Sequence, residues 1–302
     1  MNDKKGLILV NAFSKLKSAM HQPIRLKDEL KVLGIECDIK PCSIETTMII
    51  SGSSTSFLKD YDFIIYLDKD KYTSALLEKT GKRLFNSHEA ILTCDDKMMT
   101  HIALSDKGIK MPDTIPGLLC YNKDASLQEV MNRIEMIEQR LGYPCIIKEC
   151  YGSLGSGVFR AENRDELLLN MEKVKCKEHL FQKMINSSEG RDARVIVIGG
   201  KVACSMKRIS DTDFRSNIEL GGRAEVFDLP PSFKEVSEKV ADILKLDYCG
   251  IDLLFGESGE PIVCEVNSNA FFGGMESVTG FNVAGAYARH IKEIIYQTET
   301  GQ

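Results

Sequence analysis

The segment 261–269, PIVCEVNSN, is an apolar β-strand that carries a carboxylate, Glu265, and an amide, Asn267, two residues apart. Residues two apart on a strand point to the same face. We therefore expect Val263 on the face of Glu265 and Asn267, and the opposite face to consist of Ile262, Cys264 and Val266. Taken alone, a polar pair of this kind is more often the solvated side of a half-buried strand.

The preceding segment, YCGIDLLF at 248–255, is a second apolar strand with a carboxylate, Asp252, in its middle. The linker GESGEP has the glycine and proline residues of a turn, so the two strands are predicted to form a hairpin. A turn of two or four residues pairs Gly256 with Pro261 and places Asp252 opposite Glu265. A turn of odd length would place the two carboxylates on opposite faces.

The facing carboxylates of Asp252 and Glu265 would destabilise the hairpin without a compensating partner. Like charges directly opposite each other destabilise a sheet, and a carboxylate in apolar surroundings is costly without a partner. A divalent cation between Asp252 and Glu265 removes both costs, and Asn267 can add a carbonyl oxygen. Oxygen ligands without His or Cys suit Mg²⁺ or Mn²⁺ rather than zinc. The alternative is a solvated strand face with no metal.

The composition is that of a globular protein. The 302 residues are 43% apolar and 27% charged, enough for a large core divided among two or three subdomains. A net charge of −5 argues against a nucleic-acid or anionic-membrane partner. The ten cysteines show no C-x-x-C motif or zinc spacing, and no secretory signal or membrane-length run is found. Reduced thiols in a cytoplasmic protein are expected.

The order of the predicted strands and helices along the chain indicates three domains. Residues 1–92 alternate strand and helix, which indicates a parallel α/β sheet, without a G-x-G-x-x-G fingerprint. Residues 93–178 begin with a helix, for which Thr93 and Asp96 have the spacing of a capping box. Residues 179–302 are α+β, with a hairpin turn at Gly199-Gly200 and a closing helix from about Asn282.

Several cations stand where a phosphate could bind. Lys148 interrupts the apolar strand PCIIKEC, which leads into the glycine-rich GSLGSG, and such a loop can direct backbone N–H groups at phosphate oxygens. Lys97 lies in the first turns of its helix, where the helix dipole disfavours a cation but an anion would be attracted. Each feature by itself is more often a surface lysine or a tight turn.

A basic cluster, Lys207, Arg208 and Arg215, surrounds a strand end in MKRISDTDFRSN. Guanidinium groups bind phosphate and carboxylate in bidentate fashion, and acyl or phosphoryl transfer needs such groups where negative charge develops. A solvated charged face is the simpler alternative. The five histidines form no triad-like or metal-binding pattern, so none is predicted to be catalytic.

Together these motifs resemble the RimK-type ATP-grasp ligases, which join amino acids to peptides, proteins or small amines. The similarity runs from about residue 90 to 295, and the motifs that carry it are RDARVIVIG, KRISDTDFRSNIELGG, DLLF-x9-CEVN and the pairing of Lys148 with the glycine-rich loop. It implies an ATP-grasp fold behind an N-terminal Rossmann-like α/β domain.

The resemblance also implies roles for individual residues. The nucleotide site would comprise Lys97, Lys148, the loop residues Gly152, Ser153, Gly155, Ser156 and Gly157, the hinge Gln182, Lys183, Met184 and Ile185, then Asp192 and the triplet Arg215, Ser216 and Asn217. Arg208 and Arg215 would stabilise an acyl phosphate and its tetrahedral adduct. Asp252, Glu265 and Asn267 would hold two Mg²⁺ or Mn²⁺ ions bridging the phosphates of ATP.

The chain departs from this family after the metal asparagine. Many of these ligases continue Ser-Pro-Gly-Leu, whereas residues 268–275 read SNAFFGGM, so glutamate as the substrate is placed in question. We expect an ATP-dependent carboxylate–amine ligase with a small-molecule, peptide or protein acceptor, assembled as a dimer or tetramer. The alternatives are a biosynthetic ligase acting on an amino-group carrier protein or metabolite, a phosphotransferase and a non-catalytic ATP-binding regulator.

Overall fold

The computed structural model describes residues 4–13, 17–43, 46–56, 58–153, 155–218 and 221–297. Its first sheet is parallel, with strand order β2-β1-β5-β6. The strands are β1 (Lys5–Val10), β2 (Glu36–Pro41), β5 (Phe63–Leu67) and β6 (Arg83–Phe85), the helices are α1 (Lys17–Val32) and α2 (Lys71–Glu78), and a small hairpin is formed by β3 (Thr47–Ile50) and β4 (Ser53–Ser56). The predicted parallel α/β sheet is confirmed, whereas the hairpin has no counterpart in the sequence prediction.

Two short helices follow where one was expected. Helix α3 (His88–Asp95) and helix α4 (Lys97–Leu104) are separated by the single residue Asp96. The carboxylate of Asp96 caps α4 by accepting hydrogen bonds from the N–H groups of Met98 and Met99. The predicted capping box is therefore wrong, because Thr93 lies inside α3. Lys97 is the first residue of α4.

The second sheet is antiparallel in the order β7-β10-β8-β9. Its strands are β7 (Thr114–Pro116), β8 (Cys145–Glu149), β9 (Val158–Ala161) and β10 (His179–Lys183), and its helices are α5 (Met131–Leu141) and α6 (Arg164–Val174). The apolar faces of both helices pack on the sheet and form a separate core. Since β10 belongs to this sheet, a domain boundary after 183 fits better than one after 178, and the three-domain division remains a prediction.

The third sheet is antiparallel in the order β13-β12-β11-β14-β15. Its strands are β11 (Arg191–Ile198), β12 (Lys201–Ile209), β13 (Arg223–Val226), β14 (Tyr248–Phe255) and β15 (Pro261–Asn267), and its helices are α7 (Pro231–Ile243), α8 (Gly273–Thr279) and α9 (Val283–Gln297). The turn between β11 and β12 is the predicted Gly199-Gly200, with φ of 57° and 73°. The closing helix α9 also lies where it was expected.

The first and third sheets share one hydrophobic core. Phe63 of β5, Tyr248 of β14 and Phe272 are fully buried members of the same cluster. Asn86 links the sheets through its side-chain N–H₂ group, which donates 2.8 Å hydrogen bonds to the carbonyls of Tyr248 and Ser268. These contacts hold the carboxyl edge of the first sheet against the β14–β15 hairpin. None of the described helices is long and apolar enough to span a bilayer.

Candidate active site

A cavity of about 930 Å³ is lined by residues of all three sheets. It receives the ends of β1 and β5, the glycine-rich loop after β8, and the faces of β11, β12, β14 and β15. With the exception of Gly157, every predicted site residue lines it: Lys97, Lys148, Gly152, Ser153, Gly155, Ser156, Gln182, Lys183, Met184, Ile185, Asp192, Arg208, Arg215, Ser216, Asn217, Asp252, Glu265 and Asn267. The fold thus brings together residues that are spread over 170 positions of the sequence.

The hairpin pairs Asp252 with Glu265, as predicted, but by a different register. Phe255, not Gly256, is the partner of Pro261, so residues 256–260 form an odd-numbered turn. One extra residue, Cys264, lies between the pairs Leu253–Val263 and Asp252–Glu265 and restores the facing position. This irregularity is a β-bulge, which bends the strand and re-aims its side chains.

The bulge also changes which side chains share a face. Val263 and Val266 are both buried in the core between the third sheet and α7. Cys264, Glu265 and Asn267 all line the cavity. The predicted alternation, with Val263 beside Glu265 and Cys264 beside Val266, is therefore wrong. Strict period-two alternation cannot continue through a strand that contains an extra residue.

Asp252 belongs to a buried ion network. Arg194 of β11 binds it through Nε and Nη2, the latter 2.7 Å from Oδ2, and Arg208 of β12 places Nη2 3.0 Å from the same oxygen. Arg208 also binds Asp192, with Nε 2.8 Å from Oδ1. Arg208, Asp192 and Asp252 expose 4%, 6% and 5% of their surfaces. Such charges are tolerated inside a protein because each has a hydrogen-bonded partner.

The network keeps its members charged. Burial would raise the pKa of Asp252, but Arg194 and Arg208 outweigh it and hold the pKa below its ordinary value. Burial would likewise lower the pKa of Arg208, but Asp252 and Asp192 outweigh it and raise the pKa. Arg194 had no predicted role. It lies in the motif RDARVIVIG, but its pairing with Asp252 requires the register of β11 on β14.

The residues around Glu265 fit a hard cation. Glu265 has Lys97 as its ion-pair partner, with Nζ 3.9 Å from Oε1, and its side chain is 29% exposed. Asp252 accepts three guanidinium N–H groups, which leaves about one of its roughly four acceptor positions. Asn267 adds an amide oxygen. The described residues contain no cluster of three or more His, Cys, Asp or Glu, so the donor set is two carboxylates and an amide, which suits Mg²⁺.

The glycine-rich loop is held by cations from two sides. Lys97, only 8% exposed, donates from Nζ to the carbonyl of Gly152 at 3.0 Å. Arg215 donates from Nη1 to the carbonyl of Gly155 at 2.8 Å, and Asp213 orients its guanidinium group. The glycines at 152, 155 and 157 have φ of 140°, 75° and 69°, which L side chains rarely adopt. The loop therefore lies at the wall of the cavity, where two cations hold its carbonyl groups.

Lys148 and the hinge form another wall. The Nζ of Lys148 lies 3.5 Å from the Sγ of Cys264, so β8 and β15 meet in the cavity. Gln182, 2% exposed, donates to Thr114 Oγ1 at 3.0 Å and lies 2.9 Å from His101 Nε2. Since the amide nitrogen is a donor, His101 Nε2 accepts and carries no proton. Burial, together with Lys148, lowers the pKa of His101 to about 4.

The structure adds a region of the cavity to which the sequence assigned no site residue. This N-terminal arm is lined by residues from four segments, namely 10–13 and 67–69 at the carboxyl edge of the first sheet, 20–22 of α1, and 269–277 after β15. Asn11 donates from Nδ2 to Asp68 Oδ2 at 2.9 Å across the edge. Residues after parallel strands gather at one edge of a sheet. That rule, applied to the predicted parallel strands, could have found Asn11 and Asp68.

Comparison with known proteins identifies the third and second sheets as one unit. The model of the RimK-like ATP-grasp domain matches residues 94–291, well over half of the chain. Human N-acetylaspartylglutamate synthase A is 34% identical over 237 residues, which cover 78% of this chain and 59% of that protein. A probable alpha-L-glutamate ligase of Cellvibrio japonicus is 35% identical over 201 residues, covering 66% and 63%. The chain thus spans about three fifths of the length of these relatives.

Solved structures extend the similarity to the first sheet. D-alanine–D-alanine ligase from Bacillus anthracis, complexed with ATP, superposes with a TM-score of 0.74 at 20% identity, over 98% of this chain and 99% of that one. The ATP-grasp ligase PsnB, complexed with a minimal precursor, superposes with a TM-score of 0.70 at 20% identity, over 96% and 99%. At this identity the superpositions show a common fold, which includes the N-terminal α/β domain.

Proposed function

The chain belongs to the RimK-like ATP-grasp family, and we propose that it is an ATP-dependent carboxylate–amine ligase. The observation that carries the proposal is that Lys97, Lys148, Arg215 and the glycine-rich loop line one cavity together with the carboxylates of the β14–β15 hairpin, and that Lys97 Nζ lies 3.9 Å from Glu265 Oε1. Cations that bind phosphate oxygens thus face a site that suits Mg²⁺. The names of the relatives, which are ligases and synthases of glutamate-containing products, support the same activity.

The reaction has two steps. The carboxylate substrate attacks the γ-phosphate of ATP, which gives an acyl phosphate and ADP. The amine substrate then attacks the acyl carbon, which forms the amide and releases phosphate. Mg²⁺, held by Glu265, Asn267 and the remaining acceptor position of Asp252, would neutralise phosphate charge when bound. One or two ions per site are compatible with this donor set.

The residues of the chain contribute mainly by positioning charge. When ATP binds, Lys97 and Arg215 release the carbonyls of Gly152 and Gly155 and bind phosphate oxygens instead. The glycine-rich loop can then direct its N–H groups at the nucleotide. Lys148 adds a third cation, beside Cys264 of β15. Arg208, fixed by two aspartates, supplies a preorganised positive charge next to the developing acyl phosphate. Preorganised charge lowers the barrier because no reorientation is needed during the reaction.

The hinge and the triplet complete the proposed nucleotide site. Main-chain groups of Lys183 and Met184 would bind adenine, with Gln182 and Ile185 on either side and Asp192 at the far end. Ser216 and Asn217 line the same wall as Arg215. Among the structural neighbours, PsnB has been solved with a precursor peptide and with Mg and ADP, which supports a peptide or protein acceptor among the candidates. Assembly as a dimer or tetramer remains a prediction.

The test is ADP release with MgATP across paired pools of carboxylates and amino acids. The carboxylate pool contains N-acetylaspartate, citrate and short peptides, and the amine pool contains glutamate with the other amino acids. Release that requires one member of each pool, with a new amide detected by mass, supports the proposal. The Glu265→Ala protein is the blank. ATP binding without release in any combination would instead favour a non-catalytic nucleotide-binding protein.

A further inference from the structure

The N-terminal arm of the cavity is rimmed by large apolar side chains that face solvent. Phe13, Met20 and Phe271, defined here as the apolar rim, expose 90%, 40% and 37% of their surfaces, and all three line the cavity. They come from the loop after β1, from α1 and from the segment after β15. Exposed apolar residues that converge on one cavity usually mark a binding surface.

Phe271 and Phe272 are adjacent in sequence but differ in burial. Phe272 is fully buried in the shared core, with its ring 6.3 Å from that of His21 and 6.4 Å from that of Tyr248. Phe272 thereby anchors the segment to α1 and β14. This anchoring places Phe271 at the cavity surface, where it is not part of the hydrophobic core. A single exposed phenylalanine is ordinary on a protein surface, but Phe271 lines the cavity together with Phe13 and Met20, and such a group of exposed apolar side chains marks a binding surface.

Apart from His21, the described polar groups of the arm do not suit a second anionic group. Within the described part of the chain, Lys69 is paired with Asp95, 3.3 Å from its Oδ1, and Asp68 is an acceptor whose oxygens already receive hydrogen bonds. Burial raises the pKa of Asp68 as well. Gln22 and Asn269 contribute neutral amides, 3.4 Å apart. By contrast, Lys97 and Arg215 contact the glycine-rich loop, and Lys148 lies beside Cys264 of β15.

The rim is close to the proposed reaction centre. Phe271 follows Asn267 by four residues, which span at most about 14 Å of chain. A substrate the size of an amino acid or a short peptide can therefore place its reacting group near Asn267 and its side chain on the rim.

We propose that the apolar rim binds a large apolar side chain carried by the substrate beside its reacting carboxylate or amine. The inference rests on the proposed ligase function and narrows its substrate class. It sets this chain apart from the relatives named above for products of aspartate and glutamate, which carry additional carboxylates.

The experiment uses hydroxylamine as a surrogate amine, because it converts an acyl phosphate to a hydroxamate with release of phosphate. In the first arm, the intact protein and MgATP receive N-acetylphenylalanine, N-acetylleucine, N-acetylalanine or N-acetylaspartate, and hydroxamate and ADP are measured. In the second arm, the best carboxylate is paired with phenylalanine, leucine, alanine or glutamate as the amine. The preference is expected in the arm that varies the substrate carrying the apolar side chain. In that arm, kcat/KM for the apolar compounds should exceed kcat/KM for the alanine compound by about tenfold or more.

Matched substitutions assign that preference to the rim. Phe271→Ala and Met20→Ala should each lower kcat/KM for the apolar compounds more than kcat/KM for the alanine compound, so that the preference falls severalfold in each variant. Phe281→Ala and Met136→Ala are the controls, since these residues have the same exposures of 37% and 40% and do not line the cavity. Melting temperatures confirm that all four variants fold.

Two results would overturn the inference while leaving the ligase function in place. One is a preference for N-acetylaspartate or glutamate over the apolar compounds in both arms. The other is an apolar preference that Phe271→Ala and Met20→Ala leave intact. If no carboxylate yields hydroxamate, ADP or amide, the proposed function itself fails, and the inference fails with it.

Discussion

Asp252 lies opposite Glu265 although the turn between their strands has an odd number of residues. The extra residue Cys264 makes this possible, because it shifts the register of β15 by one position before Glu265 is reached. A regular strand would have paired Asp252 with Cys264 and turned Glu265 toward the core. The proposed metal site therefore depends on a single-residue bulge at the cavity wall, a position where bulges commonly re-aim side chains.

Replacing Glu265 is expected to abolish turnover. Glu265→Ala removes the more accessible carboxylate of the proposed metal site, and Asp252 is largely occupied by arginines. ADP release measured as a function of Mg²⁺ concentration should fall by at least about a hundredfold, with the melting temperature little changed. Glu260→Ala, at the exposed turn of the same hairpin, is the control and should keep full activity. Near-normal turnover of Glu265→Ala would refute the metal assignment.

Removing Arg208 is expected to cost both stability and chemistry. Arg208→Ala leaves Asp192 and Asp252 buried with one partner fewer, so the free energy of unfolding in urea should fall by about 3–5 kcal/mol. Arg223→Ala breaks an exposed pair with Asp211 and should cost about 1 kcal/mol or less. Equal losses in the two variants would contradict the importance of the network.

Arg208→Lys keeps a positive charge and separates folding from catalysis. It lacks the planar fork that binds both aspartates, so the charge is less well fixed. We expect kcat to fall by at least about tenfold, with a smaller change in the Kd of ATP. An unchanged kcat with weakened ATP binding would show that Arg208 serves the nucleotide rather than the chemistry.

Arg215 is expected to hold the glycine-rich loop closed in the absence of nucleotide. Arg215→Ala removes the hydrogen bond to the carbonyl of Gly155. Amide hydrogen exchange in residues 152–157 should accelerate, by about fivefold for the loss of one hydrogen bond of roughly 1 kcal/mol. Arg191→Ala, whose side chain binds Ser187 instead, is the control. Unchanged exchange in Arg215→Ala would show that Lys97 alone fixes the loop.

His101 is expected to make stability dependent on pH. Its folded-state pKa of about 4 lies below the ordinary 6.5, so the folded protein binds fewer protons than the unfolded chain between these values. Stability is therefore fully present above pH 6.5 and decreases as the pH falls to 4, by about 3 kcal/mol at most. Urea unfolding at pH 7, 5.5 and 4 should show a shallower decrease for His101→Gln than for the wild type, and the same substitution at His88 is the control.

Much of the site could be predicted because strong local patterns surround it. The glycine-rich loop, Lys148 and the two carboxylates stand out within apolar strands, so their chemistry is visible residue by residue. The break between α3 and α4 was not predicted because Thr93 and Asp96, three residues apart, are both residue types that cap helices. The sequence does not show which of the two is the cap. Arg194 was missed because an arginine in a strand is unremarkable until its cross-strand neighbour is known.

Most strands and helices, apart from the β3–β4 hairpin and the break at Asp96, could be predicted from the sequence, as could the side chains that are able to bind phosphate or a hard cation. These properties follow from hydrophobic periodicity and from residue chemistry, both of which are local. Three features could not be predicted in this way: the bulge at Cys264, the pairing of Arg194 and Arg208 with Asp252, and the convergence of Phe13, Met20 and Phe271 on one cavity. Each of these joins residues that are distant in sequence or depends on a one-residue register, and local patterns carry no information about such contacts.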